Sequence, residues 1–189
     1  MSQRIIVAIS GASGAILGIR TLQILRAHLE VETHLVISPS ARLTLQQETD
    51  WELDDVLALA DVIHKHSDIS APIASGSFDT CGMIVIPCSI KSLSAIANSY
   101  SDNLLSRAAD VTLKEGRPLA LVVRETPLHR GHLRLMELAA QAGAVIFPPV
   151  PAFYALPATL DEMIDQIVGR ALARLGIEND RYLKWEDER

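Results

Sequence analysis

Five short apolar runs punctuate the chain, and the segments between them repeat their apolar positions at helical spacing. Arg4 to Ile9 is a β-branched run that ends in Ser10-Gly11-Ala12-Ser13-Gly14, after which Ile16, Ile19, Leu22, Leu25 and Leu29 recur every three or four residues. This pattern predicts a strand, a glycine turn and a helix. Val31 to Ile37 predicts a second strand, with a helix starting near Pro39, and a helical and irregular middle section leads to a third run at Met83 to Pro87. Leu119 to Val123 and Ala144 to Phe147 complete the series, each preceded by a helical segment that stops at Gly116 or Gly143. The stripe Leu160, Ile164, Ile167, Ala171 and Leu175 predicts a C-terminal helix, followed by a polar tail from Glu178 to Arg189 that carries Tyr182 and Trp185. Strands alternating with helices predict one α/β domain built on a doubly wound parallel sheet.

Composition narrows the function classes. With 189 residues, 49% of them hydrophobic, the chain can bury one substantial core. Every apolar run is far shorter than the roughly 20 residues that a membrane-spanning helix needs. The opening MSQRIIVAIS has no signal-peptide cleavage pattern, which predicts a cytoplasmic protein. Cys81 and Cys88, the only cysteines, form neither a disulfide framework nor a zinc spacing and read as core thiols. The net charge of -6 comes without a basic stripe, which argues against nucleic-acid binding. An anionic ligand therefore needs locally concentrated donors.

In doubly wound sheets those donors belong just after the strands, at their carboxyl ends. Residues 10–14, SGASG, let the backbone approach a phosphate while helix N–H groups face the anion, although a tight turn alone has the same sequence. The full GxGxxG spacing is absent, and no acidic ribose-binding residue is evident, so a mononucleotide fits better than NAD. Ser38 and Ser89 each read as a ligand donor or as a helix N-cap. Lys91 and Ser92 read as flavin donors or as ordinary surface residues. Glu48, at the end of the second helix, is an acid, a base or a solvated carboxylate, and Ser75-Gly76-Ser77 is an oxyanion loop or a surface turn. Arg107, Asp110 and Lys114 lie on one helix face at i, i+3 and i+7, the spacing of a salt-bridge ladder. Arg124-Glu125 sets a cation beside a carboxylate, a pair able to hold a phosphate and exchange its proton. Prolines stiffen the segment that presents Tyr154, while Phe153 is assigned to the core. Arg170 borders the apolar stripe of the last helix, where a snorkelling arginine is the alternative. His129 and His132 lack a third ligand, so no metal is assigned.

Taken together, SGASGA, PIASGSF, IPCSIKSLS, RAADVTLKEGRPL, VVRETPLH and PPVPAFY run in order along almost the whole chain and resemble the motif set of the UbiX flavin prenyltransferases. The resemblance implies a single flavin-binding Rossmann-like domain over residues 1–189, assembled as a homo-oligomer, a dodecamer. It implies reduced FMN at a subunit interface and dimethylallyl phosphate over the flavin ring. The allyl C1 joins flavin N5, a fourth ring closes through C6, and phosphate leaves without a metal. Prenylated FMN then passes to a UbiD-type decarboxylase, as in ubiquinone biosynthesis. Matched position by position, FMN is held by Gly11, Ala12, Ser13, Ser38, Ser89, Ile90, Lys91, Ser92 and Arg124. The alkyl phosphate meets Ser75, Gly76, Arg107, Lys114, Glu125, Tyr154 and Arg170. The catalytic set is Ser13 and Glu48 for proton transfer at N5, Lys114 and Arg124 for charge, and Glu125 for the proton delivered to phosphate. Because several subunits complete one site in this family, Arg107, Tyr154 and Arg170 need not come from the chain that supplies Gly11.

Two positions depart from the pattern: Ile69 replaces an aromatic found in some relatives, and Gly116 stands where Arg is common, with Arg117 keeping a cation nearby. The rival enzymes are FMN-dependent cysteine decarboxylases, whose substrate loop reads PASAN-like rather than IASGS, and aryl-acid decarboxylases. A non-catalytic FMN carrier is the rival outside enzymes.

Overall fold

The computed structural model describes residues 3–28 and 30–184, so Leu29 of the first helical stripe and Trp185 of the tail lie outside the described residues. The predicted strand, turn and helix are β1 (Gln3–Ile9) and α1 (Ala15–Arg26), followed by β2 (Val31–Ile37), α2 (Pro39–Glu48) and α3 (Leu53–Leu57). The middle section, expected to be helical or irregular, contains a strand, β3 (Val62–His64), before β4 (Gly82–Cys88) and α4 (Ile90–Ala97). Then come α5 (Leu104–Lys114), β5 (Leu119–Val123), α6 (Arg130–Gln141), β6 (Val145–Ile146) and α7 (Leu160–Ala173). The six strands are parallel in the order β3-β2-β1-β4-β5-β6, the dinucleotide-fold order, so the sequence prediction was one edge strand short.

Both faces of the sheet are covered, which is why its central strands read as unbroken apolar runs rather than alternating ones. Ile5, Val7 and Ile9 face a core built with α1 and α7, whereas Ile6 and Ala8 face a second core built with α4 and α5. Helix α1 is buried over a wider arc than the single stripe predicted: Leu17, Gly18, Thr21 and Ile24 are buried alongside Ile19, Leu22 and Leu25. The reason is that α1 is wedged between the sheet, α2 and α7. Leu160 was placed in the buried stripe of α7, but it is 71% exposed because it occupies the first turn, ahead of the part of the helix that meets the sheet. Gly116 and Gly143 do end their helices in the left-handed conformation, with φ of 67° and 106°.

Gly18 marks the closest approach of helix to sheet. A Cβ there would lie 2.7 Å from Ile9 Cδ1 and 2.8 Å from the Ile86 carbonyl oxygen, and the backbone carbonyl cannot move aside. Gly18→Ala is expected to destabilise the fold by about 1–3 kcal/mol despite the better helix propensity of alanine. A lower denaturant midpoint at unchanged cooperativity is the measurement that checks it. Among the described residues no helix is long and apolar enough to cross a membrane.

Candidate functional site

The strand order reverses between β1 and β4, and their carboxyl ends are joined by one hydroxyl. Ser10, 1% exposed, donates from Oγ to the Pro87 carbonyl at 2.9 Å and accepts the Ser89 N–H at 2.7 Å. Sequence reasoning passed over Ser10, whose only signal is a hydroxyl at the last buried position of a strand. The next residue, Gly11, lies so close to Ser40 that any side chain there would run into the serine Cβ and Oγ. Three strand ends thus converge on one crevice.

At the start of α1 the structure departs from expectation. The anion that meets the helix N-terminus is the chain's own Glu48, which accepts the N–H of Gly14 at 2.7 Å and of Ala15 at 3.2 Å. Those donors are therefore not free for a phosphate, and Ala12 N–H is spent on the Ser10 carbonyl at 2.9 Å. Partial burial acts to raise the Glu48 carboxyl. It is outweighed by the Gly14 N–H, the Ser13 hydroxyl, the Ala15 N–H and the charge of Arg124, which hold the group below the usual carboxylate range. A depressed folded-state pKa contributes stability that is fully present above the unfolded value near 4.5 and is lost as pH falls through the folded one. Glu48→Gln should therefore melt below wild type at neutral pH, and the gap should close as the pH is taken down from 4.5 in a series of thermal unfolding scans.

Beside this loop opens a cleft of about 750 Å³ lined by Ser38, Ser40, Ser89, Lys91, Ser92 and His66, among others. That volume lies within the roughly 300–1,000 Å³ usual for small-molecule sites. Ser38 caps α2 by accepting Ala41 N–H at 3.1 Å, and Ser89 caps α4 by accepting Ser92 N–H at 3.2 Å. The capping alternative is thus correct for both, yet it does not compete with binding. A cap uses one lone pair of a hydroxyl that also lines the cleft. Ile90 packs against the second core, so it can offer a ligand only its main chain. Burial first, then the charges of Lys91 and Arg42, hold the His66 imidazole below the usual histidine range, with Asp102 opposing them. Clustered hydroxyls with the Lys91 ammonium form a donor set suited to a phosphate monoester, so the residues present fit FMN. Arg124 and Glu125 are exposed immediately after β5, and the Glu125 carboxylate accepts Thr126 N–H at 3.0 Å.

A second group forms where α5 meets the turn after Pro72. Arg107 donates from Nε to the Ala74 carbonyl at 3.2 Å and pairs with Asp110 at 3.2 Å. The predicted ladder stops there, because Lys114 pairs with Glu115 instead of Asp110. Ser75 and Ser77 share a hydroxyl contact at 2.9 Å, and Gly76 faces Lys114: a Cβ there would stand 2.7 Å from Nζ. Arg117, the cation that the sequence keeps near Gly116, clamps this loop through the Phe78 carbonyl at 2.7 Å and the Gly76 carbonyl at 2.8 Å.

A third group lies on α7 and the proline-rich segment. Arg170 lines a cavity of about 210 Å³ with Gln166, Phe147 and Pro148, and none of these residues lines the larger cleft. Tyr154 is half-buried within a single 3₁₀ turn, its hydroxyl 3.5 Å from Gln166 Nε2. Phe153, assigned to the core from sequence, is 71% exposed because the turn that orients Tyr154 inward sends its neighbour outward. Of the residues matched to FMN, Ser38, Ser89, Lys91 and Ser92 line one cleft within a single chain, and neither Tyr154 nor Arg170 lines it.

The remaining reactive side chains are structural. Cys88 is fully buried and its thiol is pushed up to about 12 by burial, while Cys81, expected in the core, is only partly covered. His129 caps α6 through Gly131 N–H at 3.0 Å, with its ring 3.6 Å from that of His132. Among the described residues no group of three or more His, Cys, Asp or Glu is placed to hold a metal ion.

A family model described as Flavoprotein matches residues 1–171. The chain is 60% identical over 186 residues to the flavin prenyltransferase UbiX of Escherichia coli K12, which spans 97% of this chain and 98% of that protein. Among solved structures it resembles AnUbiX in complex with FMN and dimethylallyl pyrophosphate, at a TM-score of 0.96, 50% identity and full coverage of both chains. It also resembles a dodecameric FMN-dependent UbiX-like decarboxylase from Escherichia coli O157:H7, at a TM-score of 0.94 and 48% identity over 97% of this chain and 100% of that one.

Proposed function

The chain belongs to the UbiX flavin prenyltransferases of the Flavoprotein family, and we propose that it transfers a dimethylallyl group from dimethylallyl phosphate to reduced FMN by the following assignment of residues. The observation that carries the assignment is a hydroxyl-lined cleft at the β1/β4 reversal whose neighbouring loop holds a fixed carboxylate, Glu48, against Ser13. Two like charges about 4 Å apart repel by roughly 4 kcal/mol at a protein surface. The flavin phosphate therefore avoids the end held by Glu48 and is taken by Ser38, Ser89, Lys91 and Ser92. Gly11, Ala12 and Ser13 line the ring, with the main chain of Ile90 and the guanidinium of Arg124.

Reduced FMN supplies the nucleophilic N5 and C6. The allyl C1–O bond breaks as C1 bonds to N5, and phosphate departs with the bonding pair. The ring closes in a second step, in which a proton added at the allyl C2 lets C3 bond to C6 while C6 gives up its proton. Ser13 and Glu48 take up the proton lost at N5. An alkyl phosphate dianion is a poor leaving group unless cations and a proton meet the departing oxygen. Lys114, Arg107, Arg170 and Arg124 supply the charge, Ser75, Gly76 and Tyr154 bind the phosphate, and Glu125 delivers the proton. Because Tyr154 and Arg170 lie apart from the cleft within one chain, the complete site is shared between subunits of a homo-oligomer, a dodecamer. Prenylated FMN is passed to a UbiD-type decarboxylase in the cytoplasm.

Anaerobic incubation with dithionite, FMN and dimethylallyl phosphate, followed by mass spectrometry of the flavin, is the decisive experiment. A flavin heavier by one five-carbon prenyl unit is expected. Recovery of unmodified FMN would leave a carrier, and release of CO2 from an aryl acid without a partner would leave a decarboxylase.

A further inference from the structure

Gln166 is an amide buried in the apolar face of α7, between Ile164 and Ile167, and only 6% of it is exposed. A buried amide is costly unless its groups are paired, and here each pairing is with a segment distant from α7. Its Oε1 accepts the Leu183 N–H at 2.8 Å, and its Nε2 donates to the Leu183 carbonyl at 3.2 Å. This two-point contact is the pattern of one peptide unit pairing with another. The same Nε2 lies 3.5 Å from the Tyr154 hydroxyl. Arg170, one helical turn further on, shares a cavity wall with Gln166.

The segment held by Gln166 has a second anchor. Asn179 donates to the Gly169 carbonyl at 3.0 Å and accepts the Arg181 N–H at 3.1 Å. Gly169 makes room for it, since a Cβ there would lie 2.6 Å from Asn179 Oδ1 and 3.1 Å from the main-chain carbon of Arg181. Residues 179–183 are thus laid along α7, and the amide that pins them also touches Tyr154.

From this we infer that Gln166 is a positioning residue for prenyl transfer: by binding the C-terminal segment and the Tyr154 hydroxyl with one amide, it makes the Tyr154–Arg170 subsite for the alkyl phosphate depend on docking of that segment. The inference rests on the functional assignment given above. With the segment docked, the amide plane is fixed by Leu183 and Nε2 is aimed at Tyr154. With the segment released, the amide turns away and Tyr154 loses that constraint.

Two variants test the coupling from opposite sides. Gln166→Met keeps the side-chain volume and removes the amide, whereas Gly169→Ala leaves the amide intact and displaces the segment. Both are expected to accelerate trypsin cleavage after Arg181 and Lys184 and to raise KM for dimethylallyl phosphate about tenfold. FMN affinity and the thermal midpoint should stay close to wild type, and Gln166→Glu, which keeps an acceptor for Leu183 N–H, should fall between. Faster cleavage with an unchanged KM overturns the inference, as does a rise in KM matched by an equal loss of FMN affinity. Wild-type protein run alongside separates the two readings. If it yields no prenylated flavin, the functional assignment fails and the Gln166 role in prenyl transfer fails with it. A competent wild type with an indifferent Gly169→Ala sinks the coupling alone.

Discussion

Glu125→Gln is expected to slow prenyl transfer in a single turnover by about 10²–10⁴-fold, the range associated with a lost general acid, while FMN still binds. Glutamine keeps the size of the side chain and an oxygen able to accept the Thr126 N–H, so the loop after β5 should hold its shape. What it cannot do is deliver a proton to the departing phosphate. The cations of the site lower the energy of a leaving dianion but leave its charge unprotonated, so the residual rate measures what electrostatics alone provides. Rapid-quench analysis of prenylated flavin is the measurement, and an undiminished rate removes Glu125 from the mechanism.

Lys114→Ala should raise KM for dimethylallyl phosphate by about 10- to 100-fold, the equivalent of one hydrogen bond to a charged group. FMN binding should be untouched. The competing account treats Lys114 as one half of an exposed ion pair with Glu115, and removal of such a solvent-screened pair changes stability little and does not touch the substrate. Steady-state kinetics separates the two accounts, because only a phosphate ligand makes the effect specific to KM for that substrate. Arg107 is a poorer probe, since it also holds the Ala74 carbonyl and its loss would loosen the loop.

How much of this was legible in the sequence follows from what each residue has to do. β1, β2, β4 and β5 are buried on both faces and announce themselves as apolar runs, and the order of turns between them leads to the parallel sheet. β3 does not, because three residues at a sheet edge, with Ile63 52% exposed, carry neither length nor alternation. Ser38, Ser89, Lys91 and Ser92 line one crevice because they follow strands, a relation fixed by topology. The destination of Glu48 was hidden by a separation of 34 residues from Gly14, and nothing local distinguishes it from a solvated carboxylate. The roles of Arg117 and Gln166 were missed for the same reason: both act on main-chain carbonyls or N–H groups of distant segments, which leave no mark in residue type. The exposure of Phe153 reflects the limit of a rule that sends large apolar side chains inward within a single chain.

The Ser10 hydroxyl, engaged on both sides by Pro87 and Ser89, has a consequence for how the site is paid for in entropy. Because it ties β1 to β4 through atoms of the chain itself, the floor of the crevice is set by the fold rather than by ligand arrival. The rotamer and main-chain freedom that would otherwise be surrendered on binding is already gone, and a preorganised floor lets more of the contact energy appear as affinity. Tight flavin binding therefore does not require a long list of contacts, only a short list made to atoms that no longer move.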